Sequence, residues 1–210
     1  MALVAKSQMY NLTGAYLKII LGPMFSGKTS ELMSIYKHNK IAEIPTLVIN
    51  HVSDSRYSAC NLSTHDGTEI PCVKLNKLSE IHSHLPALER YTILINEGQF
   101  FDDIMDVVPK LVEKYKKKVY ICGLDGDFRR KKFGYLLDLI PLADRVIKKT
   151  ALCKICKNGT KGIFTMRLSK EKKQIVVGSD IYIPVLSLIH ISEPTRPERI
   201  GCGGVVVEKK

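Results

Sequence analysis

The feature that most constrains the fold is the stretch at residues 22–29, which reads GPMFSGKT and satisfies the pattern GxxxxGKT. It follows the apolar run Leu17–Leu21, and the next residues, Ser30–Asn39, contain no proline or glycine and place apolar side chains near helical spacing. A strand that leads through such a turn into a helix lets successive backbone N–H groups converge on phosphate oxygens. The sequence therefore predicts a phosphate-binding loop, with a chance glycine-rich turn as the alternative.

This loop also predicts how a nucleoside triphosphate is held. Lys28 is expected to reach the β- and γ-phosphates, and the Thr29 hydroxyl is expected to hold Mg²⁺. The residues assigned to ATP binding are Gly22, Pro23, Met24, Phe25, Ser26, Gly27, Lys28 and Thr29.

Short apolar runs alternate with helix-like stretches along the first 149 residues, which predicts an α/β fold with a mostly parallel sheet flanked by helices. Ligands of such sheets bind at the carboxyl ends of the strands, where the phosphate loop opens. The predicted strands are Leu17–Leu21, Thr46–Asn50, Tyr91–Asn96 and Val119–Gly123, and the predicted helices are Ser30–Ile41, Leu78–Glu89 and Asp103–Tyr115.

The sequence changes character near Lys149. Cys153 and Cys156 are followed by two candidate strands, Gly162–Leu168 and Gln174–Val177, on either side of a polar turn. We therefore expect an α/β domain at residues 1–149, a small β-rich domain at 150–185 and a tail at 186–210.

Composition narrows the class of protein. The 210 residues are 45% apolar, enough for one substantial core, and contain neither a bilayer-spanning run nor a secretory signal. We therefore expect a soluble, intracellular, cytoplasmic protein. Its six cysteines are then free thiols or metal ligands, and Cys60, Cys72 and Cys122 are interpreted as buried thiols.

The net charge of +11, from 32 basic and 21 acidic residues, suits a polyanionic ligand such as a nucleotide or a nucleic acid. The lysine runs near residues 114–118 and 170–173 are interpreted as solvated faces. The run at 129–132 differs because it lies in a candidate substrate segment.

A second chemical signal is the segment ILINEGQFFDD at residues 93–103, an apolar strand that ends in Asn96 and Glu97. An acid at that place in a phosphate-loop protein either coordinates Mg²⁺ or accepts a proton from the attacking nucleophile. The alternative is a surface carboxylate at the end of a strand.

Six motifs in this order resemble the thymidine kinases of animal cytosol, poxviruses and many bacteria. The resemblance extends from about Lys18 to about Val185. The motifs are GPMFSGKT, DSRYS at 54–58, THDG at 64–67, NEGQFFDD at 96–103, GLDGDFRRKKFG at 123–134 and the CxxC at 153–156.

The resemblance implies a RecA-like phosphate-loop domain with a zinc-ribbon-like lasso. It implies phosphorylation of the 5′-hydroxyl of thymidine, and of deoxyuridine, by ATP and Mg²⁺ in deoxynucleotide salvage. Glu97 would be the general base, Lys28 and Arg56 would stabilise the transferred phosphoryl group, and Asp54 would orient Arg56 or assist Mg²⁺. The family also implies a homotetramer, with no membrane or nucleic-acid partner.

For the base, the resemblance implies an aromatic pocket and a lasso that closes over it. Aromatic faces suit a flat pyrimidine, although a phenylalanine taken alone is more often a core residue than a pocket residue. The pocket positions are Met24, Phe101, Leu124, Phe128 and Phe133, and the lasso positions that face the base are Thr165 and Tyr182.

The chain departs from the family pattern at two places. Asn96 stands where many members have aspartate, so Mg²⁺ affinity is expected to fall unless Asp54 or the phosphates compensate. Leu186 and Ile189 occupy the positions of the second zinc-ligand pair, which leaves only Cys153 and Cys156 as ligands.

The zinc site is therefore expected to be incomplete and the lasso loosely held, since His190 and Cys202 have the wrong spacing to substitute. The sequence from about Leu186 onward resembles a translated vector fragment, and we interpret it as non-native. Two other functions stay open at this point: a phosphate-loop ATPase acting on nucleic acid, and a catalytically impaired nucleotide-binding relic.

Overall fold

The structure is a computed structural model that describes residues 14–54, 61–64, 67–83, 91–171, 173–176, 178 and 181–186. Several sequence predictions lie outside these residues: those for Cys60, Arg56, His190 and Cys202, and for the tail beyond Leu186.

A six-stranded sheet forms the centre of the fold, with the strand order β5-β2-β6-β7-β1-β8. Every neighbouring pair in it is parallel. The strands are β1 (Tyr16–Leu21), β2 (Thr46–His51), β5 (Val73–Leu75), β6 (Thr92–Ile95), β7 (Lys118–Gly123) and β8 (Arg145–Lys148), and a separate hairpin contains β3 (Asn61–Ser63) and β4 (Glu69–Pro71). The predicted α/β class and the four strands predicted within residues 1–149 are thus confirmed, while β3, β4, β5 and β8 were not predicted.

Apolar side chains cover both faces of this sheet, as expected for parallel strands buried between layers. On one face, helix α1 (Lys28–Ile41) packs Leu32 and Met33 against strand residues such as Ile20 and Leu94. On the other face, helix α2 (Ile104–Pro109) contributes to the larger core cluster. Because both layers are anchored to the strands, the carboxyl edge of the sheet is a rigid support for a site.

Two predicted helices are not regular α-helices throughout the residues that the structure describes. The stretch Asp103–Tyr115 begins as α2 but continues beyond Pro109 as a π-helical turn, Lys110–Lys114, because proline has no N–H to continue the regular ladder. The described part of the predicted helix Leu78–Glu89 forms a 3₁₀ helix, Leu78–Ser83, and residues 84–89 lie outside the described residues. A further 3₁₀ helix, Leu136–Leu142, precedes β8.

The cysteine-containing region forms two small antiparallel pairs. Strand β9 (Ala151–Leu152) pairs with β10 (Lys161–Gly162), and β11 (Phe164–Arg167) pairs with β12 (Tyr182–Val185). The predicted strand Gln174–Val177 is wrong, because residues 174–176 form a loop and β12 takes the place beside β11. The division of the chain into domains stays a prediction.

None of the helices in the described part of the chain combines the length and apolar character needed to cross a bilayer.

Candidate active site

A cavity of about 410 Å³ lies at the carboxyl edge of the sheet. The phosphate loop lines one side, the segments after β2, β6 and β7 line the floor, and the loop between β11 and β12 covers it. The predicted site residues that line this cavity are Met24, Phe25, Ser26, Gly27, Lys28, Thr29, Asp54, Glu97, Leu124, Phe128, Phe133, Thr165 and Tyr182.

The loop between β1 and α1 has the backbone shape of an anion cradle. Phe25 and Gly27 both have positive φ angles, of 62° and 74°, which turns the chain sharply into the helix. A side chain at Gly22 would meet the Lys149 carbonyl oxygen at 2.6 Å, so glycine is needed for this close approach. Lys28 lies within the loop, where its ammonium donates a 2.7 Å hydrogen bond to the Pro23 carbonyl.

Asn96 is the centre of a buried polar network beneath Thr29. Its Oδ1 accepts hydrogen bonds from the Thr29 hydroxyl (3.3 Å) and the Cys122 thiol (3.0 Å). Its Nδ2 donates to Asn50 Oδ1 (3.0 Å), and Asn50 Nδ2 donates to Asp54 Oδ2 (3.0 Å). The amide of Asn50 therefore links Asn96 to the carboxylate of Asp54 at the cavity wall.

The thiol in this network is a donor because burial raises the pKa of Cys122 to about 12. Its proton fixes Oδ1 of Asn96 as the acceptor on that side, and Nδ2 must then face Asn50. Asn96 is only 1% exposed, so its side chain orients Thr29 from below and does not line the cavity.

Glu97 follows β6 directly and projects into the cavity from an unusual backbone conformation. Its φ of 54° is a region that residues other than glycine rarely adopt, and such residues cluster at functional sites. Gln99 Nε2 donates a 2.6 Å hydrogen bond to its carboxylate, and Gln99 Oε1 accepts a 3.0 Å bond from the backbone N–H of Leu124. Gln99 thus ties the carboxylate to the end of β7.

The aromatic wall of the cavity contains Phe100, Phe128 and Phe133. Phe100 and Phe133 meet edge to face, with ring centroids 5.5 Å apart. The sequence interpretation of Phe101 as a wall residue is wrong: its side chain is fully buried in the core and contacts the ring of His51 at 4.8 Å. The short 3₁₀ turn Gly98–Phe100 directs its last residue, Phe100, toward the cavity instead.

Thr165 connects the phosphate loop to β11, since its hydroxyl accepts a 3.0 Å hydrogen bond from the backbone N–H of Met24. On the paired strand, the hydroxyl of Tyr182 donates to the Val176 carbonyl (3.0 Å) and accepts from Arg167. Both residues therefore hold main-chain segments that line the cavity.

The basic run at 129–132 makes local contacts around the cavity rim. Asp127 Oδ1 accepts from the backbone N–H groups of Arg129 (2.8 Å) and Lys131 (3.0 Å), which closes a tight turn. Lys132 pairs with Asp138 at 2.7 Å. The backbone of the run is thus fixed by Asp127 and the Lys132 ammonium by Asp138, while the side chains of all four residues are exposed.

Cys153 and Cys156 lie close together, with the Cys156 N–H 3.5 Å from Cys153 Sγ. Burial raises the pKa of Cys153, but backbone N–H groups, with that of Cys156 foremost, outweigh this effect and lower it to about 7. Within the described residues, no group of three or more histidine, cysteine or acidic side chains is arranged to hold a metal ion. The described residues therefore do not fit a structural zinc site with four ligands.

Four residues of this site were not singled out from the sequence: Asn50, Gln99, Phe100 and Arg167. Gln99 and Phe100 stand inside the motif NEGQFFDD, whose polar and aromatic letters were a usable signal. Asn50 had no sequence signal because its partner Asn96 lies 46 residues away, and Arg167 had none because it binds main-chain carbonyls, which no residue type marks.

Comparison with known proteins agrees with this geometry. A family profile described as thymidine kinase matches residues 15–190. A rice protein named thymidine kinase is 40% identical over 172 residues, which cover 80% of this chain and 63% of the rice protein. A thymidine kinase of Yaba monkey tumor virus is 39% identical over 168 residues, or 80% of this chain and 90% of the viral protein. A chicken protein named thymidine kinase, cytosolic, is 34% identical over 186 residues, or 88% of this chain and 80% of that protein.

Proposed function

The chain belongs to the thymidine kinase family, whose members phosphorylate thymidine in nucleotide salvage, and we propose that in this enzyme Glu97 is the general base. The observation that carries the proposal is that one cavity contains both the phosphate loop and the Glu97 carboxylate. The first can hold the triphosphate of ATP, and the second can accept a proton from a hydroxyl bound within hydrogen-bond distance.

In the proposed reaction the 5′-oxygen of thymidine forms a bond to the γ-phosphorus of ATP. The bond between that phosphorus and the β–γ bridging oxygen breaks, and ADP leaves. The proton of the 5′-hydroxyl passes to the Glu97 carboxylate, which Gln99 holds at 2.6 Å. Lys28 and the loop N–H groups stabilise the charge on the transferred phosphoryl group. Arg56 is proposed to assist them, from a segment outside the described residues.

Mg²⁺ fits the oxygen donors at this edge. The Thr29 hydroxyl and the Asp54 carboxylate both line the cavity, and hydroxyl and carboxylate oxygens are the ligands that Mg²⁺ prefers. When bound with ATP, the ion supplies neutralisation of phosphate charge. Asn96 is proposed to assist Mg²⁺ binding indirectly, because its side chain accepts a hydrogen bond from the Thr29 hydroxyl and so orients it.

The nucleoside base is proposed to lie against Phe100, Phe128 and Phe133, with Leu124 beside them. Flat apolar walls suit a pyrimidine with a 5-methyl group, and also its unmethylated analogue deoxyuridine. Met24 is the residue of the phosphate loop proposed to contact the base, and Thr165 holds its backbone. Tyr182 closes the pocket from β12.

We further propose that the enzyme is cytoplasmic and forms a homotetramer, as the family resemblance implies. Light scattering on the purified protein tests the assembly. Family membership favours a kinase over an ATPase acting on nucleic acid, and a filter-binding assay at varied salt tests that alternative, because phosphate contacts give a steep salt dependence.

The test of the mechanism is Glu97→Gln in an assay with ATP, Mg²⁺ and thymidine. Loss of a general base lowers kcat by about 10²- to 10⁴-fold, whereas ATP binding should persist because the phosphate loop is unchanged. Glu113→Gln is the matched control, since Glu113 is an exposed carboxylate in the π-helical turn. Wild-type activity in Glu97→Gln would remove Glu97 from this role. Absence of thymidine-dependent turnover in the wild-type enzyme would favour the impaired relic.

A further inference from the structure

Arg167 makes five side-chain hydrogen bonds in the region that covers the cavity, and the reaction described above does not use it. It lies on β11 directly opposite Tyr182 of β12, and only 8% of its surface is exposed. Its guanidinium lies over the ring of Phe128, with 3.8 Å between Cζ and the ring centroid. This distance corresponds to a close cation–π contact with a residue of the cavity wall.

Every N–H of the guanidinium has an acceptor. Nε donates to the Tyr182 hydroxyl (3.0 Å), and one terminal nitrogen donates to the same hydroxyl (2.6 Å) and to the Gln174 carbonyl (2.7 Å). The other terminal nitrogen donates to the carbonyls of Glu171 (3.1 Å) and Lys173. An arginine has five N–H donors, and these five bonds use all of them.

The network also saturates Tyr182. Its hydroxyl accepts two bonds from Arg167 and donates its own proton to the Val176 carbonyl at 3.0 Å. The carbonyls of the loop between β11 and β12 therefore converge on one buried cation and its phenol partner. The same loop presents Gln174, Ile175 and Val176 to the cavity.

We propose that Arg167 is a positioning residue for nucleoside binding: its guanidinium organises the loop between β11 and β12 over the base pocket and fixes the ring of Phe128. The inference rests on the proposed function, because it assigns the nucleoside to that pocket. The guanidinium supplies an attachment for the loop that needs no metal ion. A second contact, from Gln174 Nε2 to Asp127 Oδ2 (3.0 Å), joins the loop to the core segment that carries Phe128.

Lysine cannot replace this arginine. Its ammonium has three donors on one atom and no planar fork, so at least two of the five bonds are lost, together with the stacking on Phe128. Arg167→Lys should therefore raise the KM for thymidine on the order of tenfold, as expected when buried charged hydrogen bonds are removed. The KM for ATP should keep its wild-type value, because the phosphate loop holds the triphosphate.

The experiment combines steady-state kinetics of the full chain with hydrogen exchange of the backbone amides between β11 and β12. Arg145→Lys is the matched control, because Arg145 is an exposed arginine on the edge strand β8. Expected results are a raised thymidine KM and faster amide exchange in Arg167→Lys and neither change in Arg145→Lys. Tyr182→Phe, which removes the shared hydroxyl and keeps the ring, should show the same pattern with a smaller change.

An unchanged thymidine KM in a folded Arg167→Lys variant would overturn the proposal, and so would an equal rise in the KM for both substrates. If the wild-type protein fails to phosphorylate thymidine, the proposed function has failed. The exchange measurement then decides the role of Arg167 by itself, since unchanged exchange in Arg167→Lys and Tyr182→Phe would refute it.

Discussion

The neutral amide at position 96 gives the most quantitative prediction, because its surroundings are built for an amide. Asn96 Nδ2 donates to Asn50 Oδ1 at 3.0 Å, while Asn96 Oδ1 already accepts from Thr29 and Cys122. In Asn96→Asp, a carboxylate oxygen would face the Asn50 carbonyl oxygen across that same distance. Rotating the Asn50 amide does not help, because its oxygen would then face Asp54.

The magnitude follows from the bonds that are lost. One buried hydrogen bond contributes about 1 kcal/mol, and an unsatisfied buried polar group costs about 1–3 kcal/mol more. We therefore expect Asn96→Asp to lower the free energy of unfolding by about 2–4 kcal/mol at pH 8. For a chain of this size the change corresponds to about 5–15 °C in Tm.

The penalty should also depend on pH. Burial raises the pKa of a carboxyl group, and the neutral acid can donate its O–H to Asn50. A group whose folded pKa is raised is tolerated at low pH and destabilises the fold as pH rises, so the penalty at pH 5 should be smaller than at pH 8.

Urea unfolding of variant and wild type at both pH values measures this difference. The matched control is Asn158→Asp, because Asn158 lies in an exposed turn where its Oδ1, which aspartate keeps, accepts from Thr160. The control should stay within about 0.5 kcal/mol of wild type. Equal stability of the two variants at pH 8 would refute the reasoning. Titration of activity with Mg²⁺ in Asn96→Asp tests separately whether a carboxylate there improves metal affinity.

The central fold could be predicted from sequence because its determinants are local. The four strands predicted for the central sheet are dominated by apolar residues, and in β6 all four residues Thr92–Ile95 are buried. The phosphate loop was recognisable for the same reason, since Gly27 has a positive φ of 74°, a backbone conformation that the pattern encodes. Local determinants of this kind do not depend on the rest of the structure.

The errors arose where side-chain contacts with the main chain, rather than residue type, decide the local structure. Ile175 and Val176 have the residue types of a strand, but Arg167 binds the carbonyls of Lys173 and Gln174, and the segment stays a loop. Pro109, by contrast, is visible in the sequence and could have predicted where the regular α-helix ends. The contacts of Arg167 are not visible in the sequence.

The choice between Phe100 and Phe101 shows the same limit within one motif. Adjacent residues face different directions, and a 3₁₀ turn after Glu97 decides which ring faces the cavity. That turn is held by tertiary contacts: a side chain at Gly98 would meet Ile121 Cγ2 at 2.7 Å. Sequence pattern alone therefore located the aromatic wall to within one residue and could not choose between the two rings.

Two further predictions concern side chains that support the site. Burial lowers the pKa of His51, so the unfolded chain binds a proton that the folded chain resists, and stability should fall as pH drops below about 6.5. His51→Phe keeps an aromatic ring but loses the bond from the Ser53 N–H to Nδ1 (3.1 Å). Urea unfolding at pH 5.5 and 7.5 should therefore show lower stability than wild type, but a smaller difference in unfolding free energy between the two pH values. A pH difference identical to that of wild type would exclude His51 as its source. Gln99→Leu removes the 2.6 Å bond to the Glu97 carboxylate and the 3.0 Å bond from Leu124 N–H, so kcat should fall about 10- to 100-fold because the base loses its orientation. Retention of wild-type kcat in a folded Gln99→Leu enzyme would show that Glu97 does not depend on this support. A residue that works only through Glu97 has no further effect once that carboxylate is gone. If Gln99→Leu lowers kcat by the same factor in a Glu97→Gln background, Gln99 therefore acts by another route.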